Sequence, residues 1–370
     1  MPRKILMLLS NEYRPDPRVE KEAAALVSIG YDVEIVAWDR LRRRPKRSRE
    51  NDLLVRRVRT GLVGSPRSFL TNFPVFLTRS VLESLQATCD VVHCHDLDTL
   101  VQGFIVSRMK RVPLVYDAHE HFSKMVEGDV SSPVARCLDS VEKRLVPSAS
   151  LVVAANDMIG EYLRDYSRSD IAVVMNCIDI ESVPRASYAR RDGEIVLFYG
   201  GSLEPLRYLE EIIGAVRSMD RCMLRIAGTG RLEGLVKREA RIDKRIEFLG
   251  YLSHEDLLRE MASSDAVLCL LDPSNENNKI GTPNRLFESV AIGVPVIASS
   301  GTLSGKITQE TGCGISINWS KRNFTDAVER LRDPAAREAM GSRGRAAAES
   351  TFNWTEMKRR LINRYLLLFS

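Results

Sequence analysis

Thr282-Pro-Asn-Arg-Leu-Phe-Glu-Ser-Val-Ala-Ile-Gly-Val-Pro-Val-Ile-Ala298 reads as a helix that stops at Gly293 and passes at once into an apolar, β-branched strand. Helices alternating with such strands build parallel sheets with crossover connections. Arg285 and Glu288 lie near the start of a helix that otherwise reads as core. A carboxylate beside a nucleotide's ribose accepts hydrogen bonds from its hydroxyls, the part an acidic residue plays in Rossmann sites. The plainer account of Glu288 is a favourable charge near a helix N-terminus.

Upstream, Glu194–Tyr199, Cys222–Ala227, Arg245–Leu249 and Ala266–Leu271 read as further strands of the same sheet, with Val294–Ala298 as its fifth. Gly200, Gly201 and Ser202 follow the first of these, and the reading puts Arg207 in the first turn of the helix that comes next. Gly228 and Gly230 follow the second strand. Glycines there let backbone N–H groups approach a phosphate, and Arg207 could neutralise it. Each turn alone is equally a tight turn, and neither carries the full dinucleotide fingerprint. With Glu288 they converge beyond the carboxyl ends of one sheet, where open parallel sheets bind ligands.

The same pattern runs through the first half: Lys4–Leu9, Tyr31–Trp38, Asp90–Cys94, Val112–Tyr116 and Leu151–Ala154 read as strands, and Val19–Ile29 as a helix ended by Gly30. Polar, punctuated Glu181–Gly193 separates the halves. The expected domains are therefore 1–185 and 186–350, with an amphipathic segment 351–370 packing back on the first. A chain of 370 residues is long enough for two cores.

With 44% hydrophobic and 28% charged residues the chain is globular in composition, and no apolar run is long enough to span a bilayer. Seven cysteines without CxxC spacing suit a reducing compartment, so a cytoplasmic location is expected. A net charge of +5, spread over both halves, gives no reason to expect nucleic acid. Residues 40–67, however, hold eleven Arg or Lys against Glu50 and Asp52. Such a run is either a solvated loop or a surface that meets anionic lipid headgroups or a phosphorylated acceptor. Leu62, Val63, Phe69, Leu70, Phe73, Val75, Phe76 and Leu77 would then either insert shallowly or pack as core. On the first alternative residues 40–77 hold the protein peripherally at the inner face of a membrane.

In the order Gly200-Gly-Ser-Leu-Glu-Pro-Leu-Arg207, Ala227-Gly-Thr-Gly230, Phe248-Leu-Gly-Tyr-Leu-Ser-His-Glu-Asp-Leu257 and Pro283–Ala298, the second half resembles the donor domain of retaining glycosyltransferase family 4. Asp16-Pro-Arg-Val-Glu-Lys-Glu-Ala-Ala-Ala-Leu26 and Val92-His-Cys-His-Asp-Leu-Asp98 resemble members of that family too, so that the likeness covers essentially the whole chain. It implies an α/β GT-B fold, two Rossmann-like domains with parallel sheets facing across a deep cleft. It further implies a UDP- or GDP-sugar donor, a glycan or lipid-linked acceptor, retention at the anomeric carbon, a place in cell-surface polysaccharide or glycoconjugate synthesis, and no cofactor or metal.

By the same resemblance Arg207 falls where the family has a Lys on the donor pyrophosphate, and Glu288 where it has the second Glu of an E-x7-E motif. The first Glu of that motif is replaced by Ile280, and a second phosphate-binding cation by Gly201. Lys279, Asn284 and Arg285 are the nearby polar groups that could face the donor sugar. His119, in Tyr116-Asp-Ala-His-Glu-His121, falls where the family's His contacts that sugar, and with Arg207 it makes the catalytic pair. Asp16, Arg18, His95, Asp96 and Glu120 form the expected acceptor side, although Asp96, Asp98 and Glu120 would also serve as helix caps. A metal site among Cys89, His93, Cys94 and His95 is disfavoured by strand alternation and the lack of a second ligand cluster. Asp96-Leu-Asp98 has DxD spacing but reads as a helix start. Gly301-Thr-Leu-Ser-Gly-Lys-Ile307 lacks P-loop spacing, which argues against phosphotransfer. A sugar-nucleotide epimerase of the same fold and a non-catalytic nucleotide-sugar-binding protein are the rival functions.

Overall fold

The computed structural model describes residues 2–14, 16–64, 66–126, 130–187 and 194–369. Two compact units are present, Met1–Met175 with Met357–Ser370, and Asn176–Glu356. The chain passes from the first to the second ahead of the polar stretch 181–193, of which residues 188–193 lie outside the described residues.

The first unit is built on β1 (Lys4–Leu8), β2 (Asp32–Trp38), β3 (Arg47–Glu50), β4 (Leu53–Val58), β5 (Val91–His95), β6 (Leu114–Ala118), β7 (Leu151–Ala154) and β8 (Ile171–Val173). Their order is β3-β4-β2-β1-β5-β6-β7-β8, parallel except for the β3–β4 pair. All residues of β5, β6 and β7 are buried, as expected of strands covered by helices on both faces. The chain runs outward from β1 in both directions, which places a topological switch point between β1 and β5.

The basic segment is an exposed loop at 42–46 that continues into a folded hairpin. Asn51 and Asp52, with φ of 49° and 65°, form a two-residue turn that joins β3 to β4 as an antiparallel hairpin. Its arginines meet carboxylates from elsewhere in the chain: Arg56 pairs with Glu34, Arg59 with Asp39 at 2.9 Å, and Arg47 with Glu83 at 3.3 Å. Arg57, buried, is 2.5 Å from Glu50. Nearby, Phe76 stacks on Trp38 at 4.4 Å between ring centroids, with Phe69 and Phe73 also against that indole. Trp38 and Phe76 are core and Phe69 and Phe73 are half-buried; Leu62 and Val75 are exposed. The side chains of Arg67 and Leu70 lie outside the described residues.

In the second unit β9 (Ile195–Gly200), β10 (Cys222–Ala227), β11 (Ile246–Gly250), β12 (Ala266–Cys269), β13 (Val296–Ser299) and β14 (Gly314–Ile317) form one parallel sheet. The order β11-β10-β9-β12-β13-β14 puts its switch point between β9 and β12. Ile212, Ile213 and Val216 of the helix Leu209–Val216 and Phe324, Ala327 and Val328 of Lys321–Arg330 join Leu197, Leu224 and Leu268 in its core. The helix Trp354–Leu368 belongs to the first unit from Met357 onward and buries Met357, Leu361 and Tyr365.

Candidate active site

Three strand-end turns of the second unit are stitched together. The Gly201 N–H donates to the Ala227 carbonyl (3.0 Å), Leu203 N–H to Thr229 (2.9 Å) and Gly228 N–H to Gly250 (2.8 Å). A methyl group on Gly228 would come within 1.8 Å of the Gly201 carbonyl oxygen, so only glycine permits this approach. The Ser202 carbonyl accepts from the Tyr199 hydroxyl at 2.7 Å.

Arg207 precedes the helix, which starts at Leu209, rather than lying in its first turn. Its neighbours Leu206 and Tyr208 have φ of 64° and 55°, a conformation that costs bulky residues of order 1–3 kcal/mol each. Asn278 holds the loop in that state. Its Oδ1 accepts from Arg207 Nη1 at 2.9 Å, and its Nδ2 donates to the carbonyls of Leu206 and Asp272 at 3.3 and 3.0 Å. Glu288 is buried in the helix Asn284–Ile292, with Oε1 2.9 Å from His254 Nε2, so it is no simple partner of a helix dipole. One turn earlier, Arg285 donates from Nε to the Leu268 carbonyl (2.8 Å) and from Nη1 to that of Gly200 (3.3 Å). Asn284 Oδ1 accepts from Asn176 at 2.8 Å, and Lys279 pairs with Glu276 at 2.6 Å.

In the first unit the polar residues gather at the carboxyl ends of β5 and β6, where His95 and Asp117 are register partners. Arg18, in the helix Pro17–Val27, forks onto Asp117 through Nε (2.9 Å) and Nη2 (2.5 Å), and Nη1 donates to the Val174 carbonyl at 2.7 Å. Burial alone would raise the Asp117 pKa; Arg18 and His119 overcome it and hold the carboxyl well below the usual range. His119 lies between two carboxylates, Nε2 at 2.9 Å from Asp117 and Nδ1 at 3.2 Å from Asp96. Burial pushes its pKa down, but Asp96 and Asp117 outweigh that and lift it to about 10. The ring is therefore an imidazolium near neutral pH, a donor and not a base. Burial carries Asp96 up to about 7 against the pull of His119. With φ 62° and ψ 168°, Asp96 makes no side-chain cap; its Oδ1 instead accepts from the His119 backbone N–H at 2.9 Å.

Glu22, His93, His95 and Asp117 bring ligand atoms within 4.8 Å of one another. Arg18 also stands 3.1 Å from Glu22, so a metal ion would have to share the place with a guanidinium. Tyr365, from the C-terminal helix, sets its hydroxyl 2.7 Å from His93 Nδ1.

Among the expected residues, Gly200, Gly201, Ser202, Gly228, Gly230, Arg207, Asn284, Arg285 and Glu288 all belong to the strand-end region of the second unit. His95, Asp96 and His119 form one cluster in the first. Arg18 is buried with all three nitrogens engaged, and half-buried Asp16 caps its helix by accepting from the Val19 N–H at 3.2 Å. Glu120, partly exposed, is adjacent to the cluster. Asn278, Asp117, Glu22 and His254 were not singled out from the sequence. His254 lies in the stretch Phe248–Leu257 that carries the family resemblance, but its pairing with Glu288, 34 positions away, has no local signal; Asn278 could have been marked only as one of several asparagines after a strand.

Two such units, each a parallel sheet with its polar residues at the carboxyl ends of the strands, define the GT-B class of fold. Two family profiles match, the Glycosyl transferase 4-like domain over residues 15–177 and Glycosyl transferases group 1 over residues 194–333. The chain belongs to this glycosyltransferase family. A glycogen synthase of Mycobacterium tuberculosis is 28% identical over 283 residues, 72% of this chain and 66% of that one, so the match spans just under two thirds of that relative's length. Sucrose-phosphate synthase from Thermosynechococcus elongatus superposes with a TM-score of 0.81 at 20% identity, covering 99% of both chains. Anabaena HepE in complex with UDP-glucose does so with a TM-score of 0.72 at 15% identity, covering 98% of this chain and 99% of that one. Among the described residues no helix is long and apolar enough to cross a membrane.

Proposed function

We propose that the protein is a glycosyltransferase that moves a sugar, with retention, from a UDP- or GDP-linked donor to a glycan or lipid-linked acceptor in glycoconjugate synthesis. The reading is carried by one observation: Arg207, the stitched glycine turns and buried Glu288 converge at the carboxyl ends of a single sheet. Glu288 accepts from the ribose hydroxyls. As the bond from the anomeric carbon to the leaving phosphate lengthens, negative charge grows on the diphosphate, and Arg207 stabilises it without a metal. His119, held as a cation, donates to the donor sugar. Asp96 and Glu120 are the acceptor-facing carboxylates. Incubation with UDP- and GDP-sugars and a panel of glycan and lipid-phosphate acceptors should release nucleoside diphosphate in an acceptor-dependent manner. Interconversion of the donor without acceptor would instead make it an epimerase, and binding without turnover a non-catalytic protein, the rival that the missing Glu at position 280 keeps alive.

The acceptor side is proposed to work peripherally at the inner, cytoplasmic face of a membrane. Arg43, Arg44, Lys46 and Arg49 are exposed, as is Leu62, although the ion pairs of the hairpin reduce the charge on offer. Vesicles rich in anionic lipid should float with the protein at low salt and release it at high salt; no flotation at low salt would remove the proposal.

A further inference from the structure

We infer that Arg285 is a second cation for the donor's pyrophosphate, seated beneath the glycine turn at the switch point of the second sheet. The inference rests on the donor reading above. Arg285 spans the place where an open parallel sheet leaves its crevice: Nε is bound to the carbonyl of Leu268 in β12 and Nη1 to that of Gly200, the last residue of β9. No carboxylate forms an ion pair with it among the described residues, it is only 6% exposed, and Nη2 has no hydrogen-bond partner. A buried guanidinium with no carboxylate partner and one enclosed nitrogen left without an acceptor is costly. The face of Tyr199, 4.6 Å from the guanidinium carbon, offsets part of that cost, but it supplies no acceptor for Nη2.

What would pair the charge is indicated by Gly201. A Cβ built there would meet one atom within 4 Å, Arg285 Nη1 at 2.9 Å, so the space over the turn is bounded by the guanidinium and otherwise open. An oxyanion entering that space meets Arg285 Nη1, the nitrogen that borders it, and a guanidinium is a cation suited to phosphate. The absence of a side chain at 201 thus leaves room for a cation that reaches the turn from the helix Asn284–Ile292. Arg207 approaches from the loop that follows the turn and Arg285 from below it, and a diphosphate is the part of a nucleotide sugar with charge enough for both.

Calorimetry with UDP, GDP and the two nucleosides, on wild type, Arg207→Ala, Arg285→Gln and Arg285→Lys, tests this. Gln keeps an amide donor for the Leu268 carbonyl, and Lys keeps the charge without the fork, so one of the two should fold. Diphosphate affinity should fall roughly 10- to 150-fold in Arg285→Gln, the span of a charge-assisted hydrogen bond, and by a smaller factor in Arg285→Lys, with nucleoside affinity unchanged in both. An equal loss for nucleoside and diphosphate would mean a merely structural role and overturn the inference. So would unchanged diphosphate affinity in either Arg285 variant while Arg207→Ala weakens it. Failure of the wild-type protein to bind any nucleoside diphosphate would overturn the donor reading itself, and the inference with it.

Discussion

Replacing Arg18 with methionine is expected to destabilise the first unit by about 3–5 kcal/mol, the cost of removing one partner from a buried ion pair. Arg18 and Asp117 are both buried, and the guanidinium makes two bonds to Asp117, stands beside Glu22 and satisfies the Val174 carbonyl. Without it, two carboxyl groups remain in an apolar interior and only His119 offers compensating charge. Glu22 already stands at about 8 because burial and the neighbouring Asp117 outweigh Arg18, so it would simply keep its proton. Asp117 has no such escape while His119 is charged. Thermal unfolding followed by calorimetry should show an early transition for the first unit with the second unit's transition unmoved. A variant melting within a degree or two of wild type would show that the pair contributes nothing net.

The second large effect is expected at the donor end. Arg207→Ala should weaken nucleoside diphosphate binding by roughly 1.5–3 kcal/mol, the range for hydrogen bonds to charged groups, and slow transfer as well. Glu288→Gln should also weaken binding, because an amide accepts at one atom where the carboxylate accepts at two; the amide keeps a hydrogen bond to His254, so the fold should stay intact. His119→Ala should spare the free nucleotide and reduce turnover, since its neighbours are Asp96, Asp117 and His95 in the first unit. Titration of the three variants with UDP and GDP separates these roles. Unchanged affinity in both Arg207→Ala and Glu288→Gln would falsify the placement of the donor site.

The buried strands were legible in the sequence because a strand covered on both faces is an unbroken apolar run: Leu151–Ala154 is both the run and β7. The β3–β4 hairpin was not, because the carboxylates that pair its arginines, Glu34, Asp39 and Glu83, lie outside the window in which the charges were counted. β6 starts and ends two residues later than the apolar run Val112–Tyr116 suggests, since polar Asp117 is one of its residues. That displacement hid the hub of the His119 cluster. In the second unit the glycine turns and Glu288 were visible as residue types at strand ends. The loop conformation that sets Arg207 was not, for Leu206 and Tyr208 carry positive φ without being glycine. Asn278 and His254 acquire their partners only through packing between segments distant in the chain.

During synthesis a domain generally folds as a unit once its residues have emerged. Here Met357, whose sulfur receives the Met175 N–H at 3.2 Å, and Tyr365, which reaches His93, are made only after every residue of the second unit. The unit begun first is therefore completed last. Until the ribosome reaches Tyr365, the first sheet must wait with the apolar surface meant for Met357, Leu361 and Tyr365 uncovered, and a fragment cut at Met175 would remain in that waiting state.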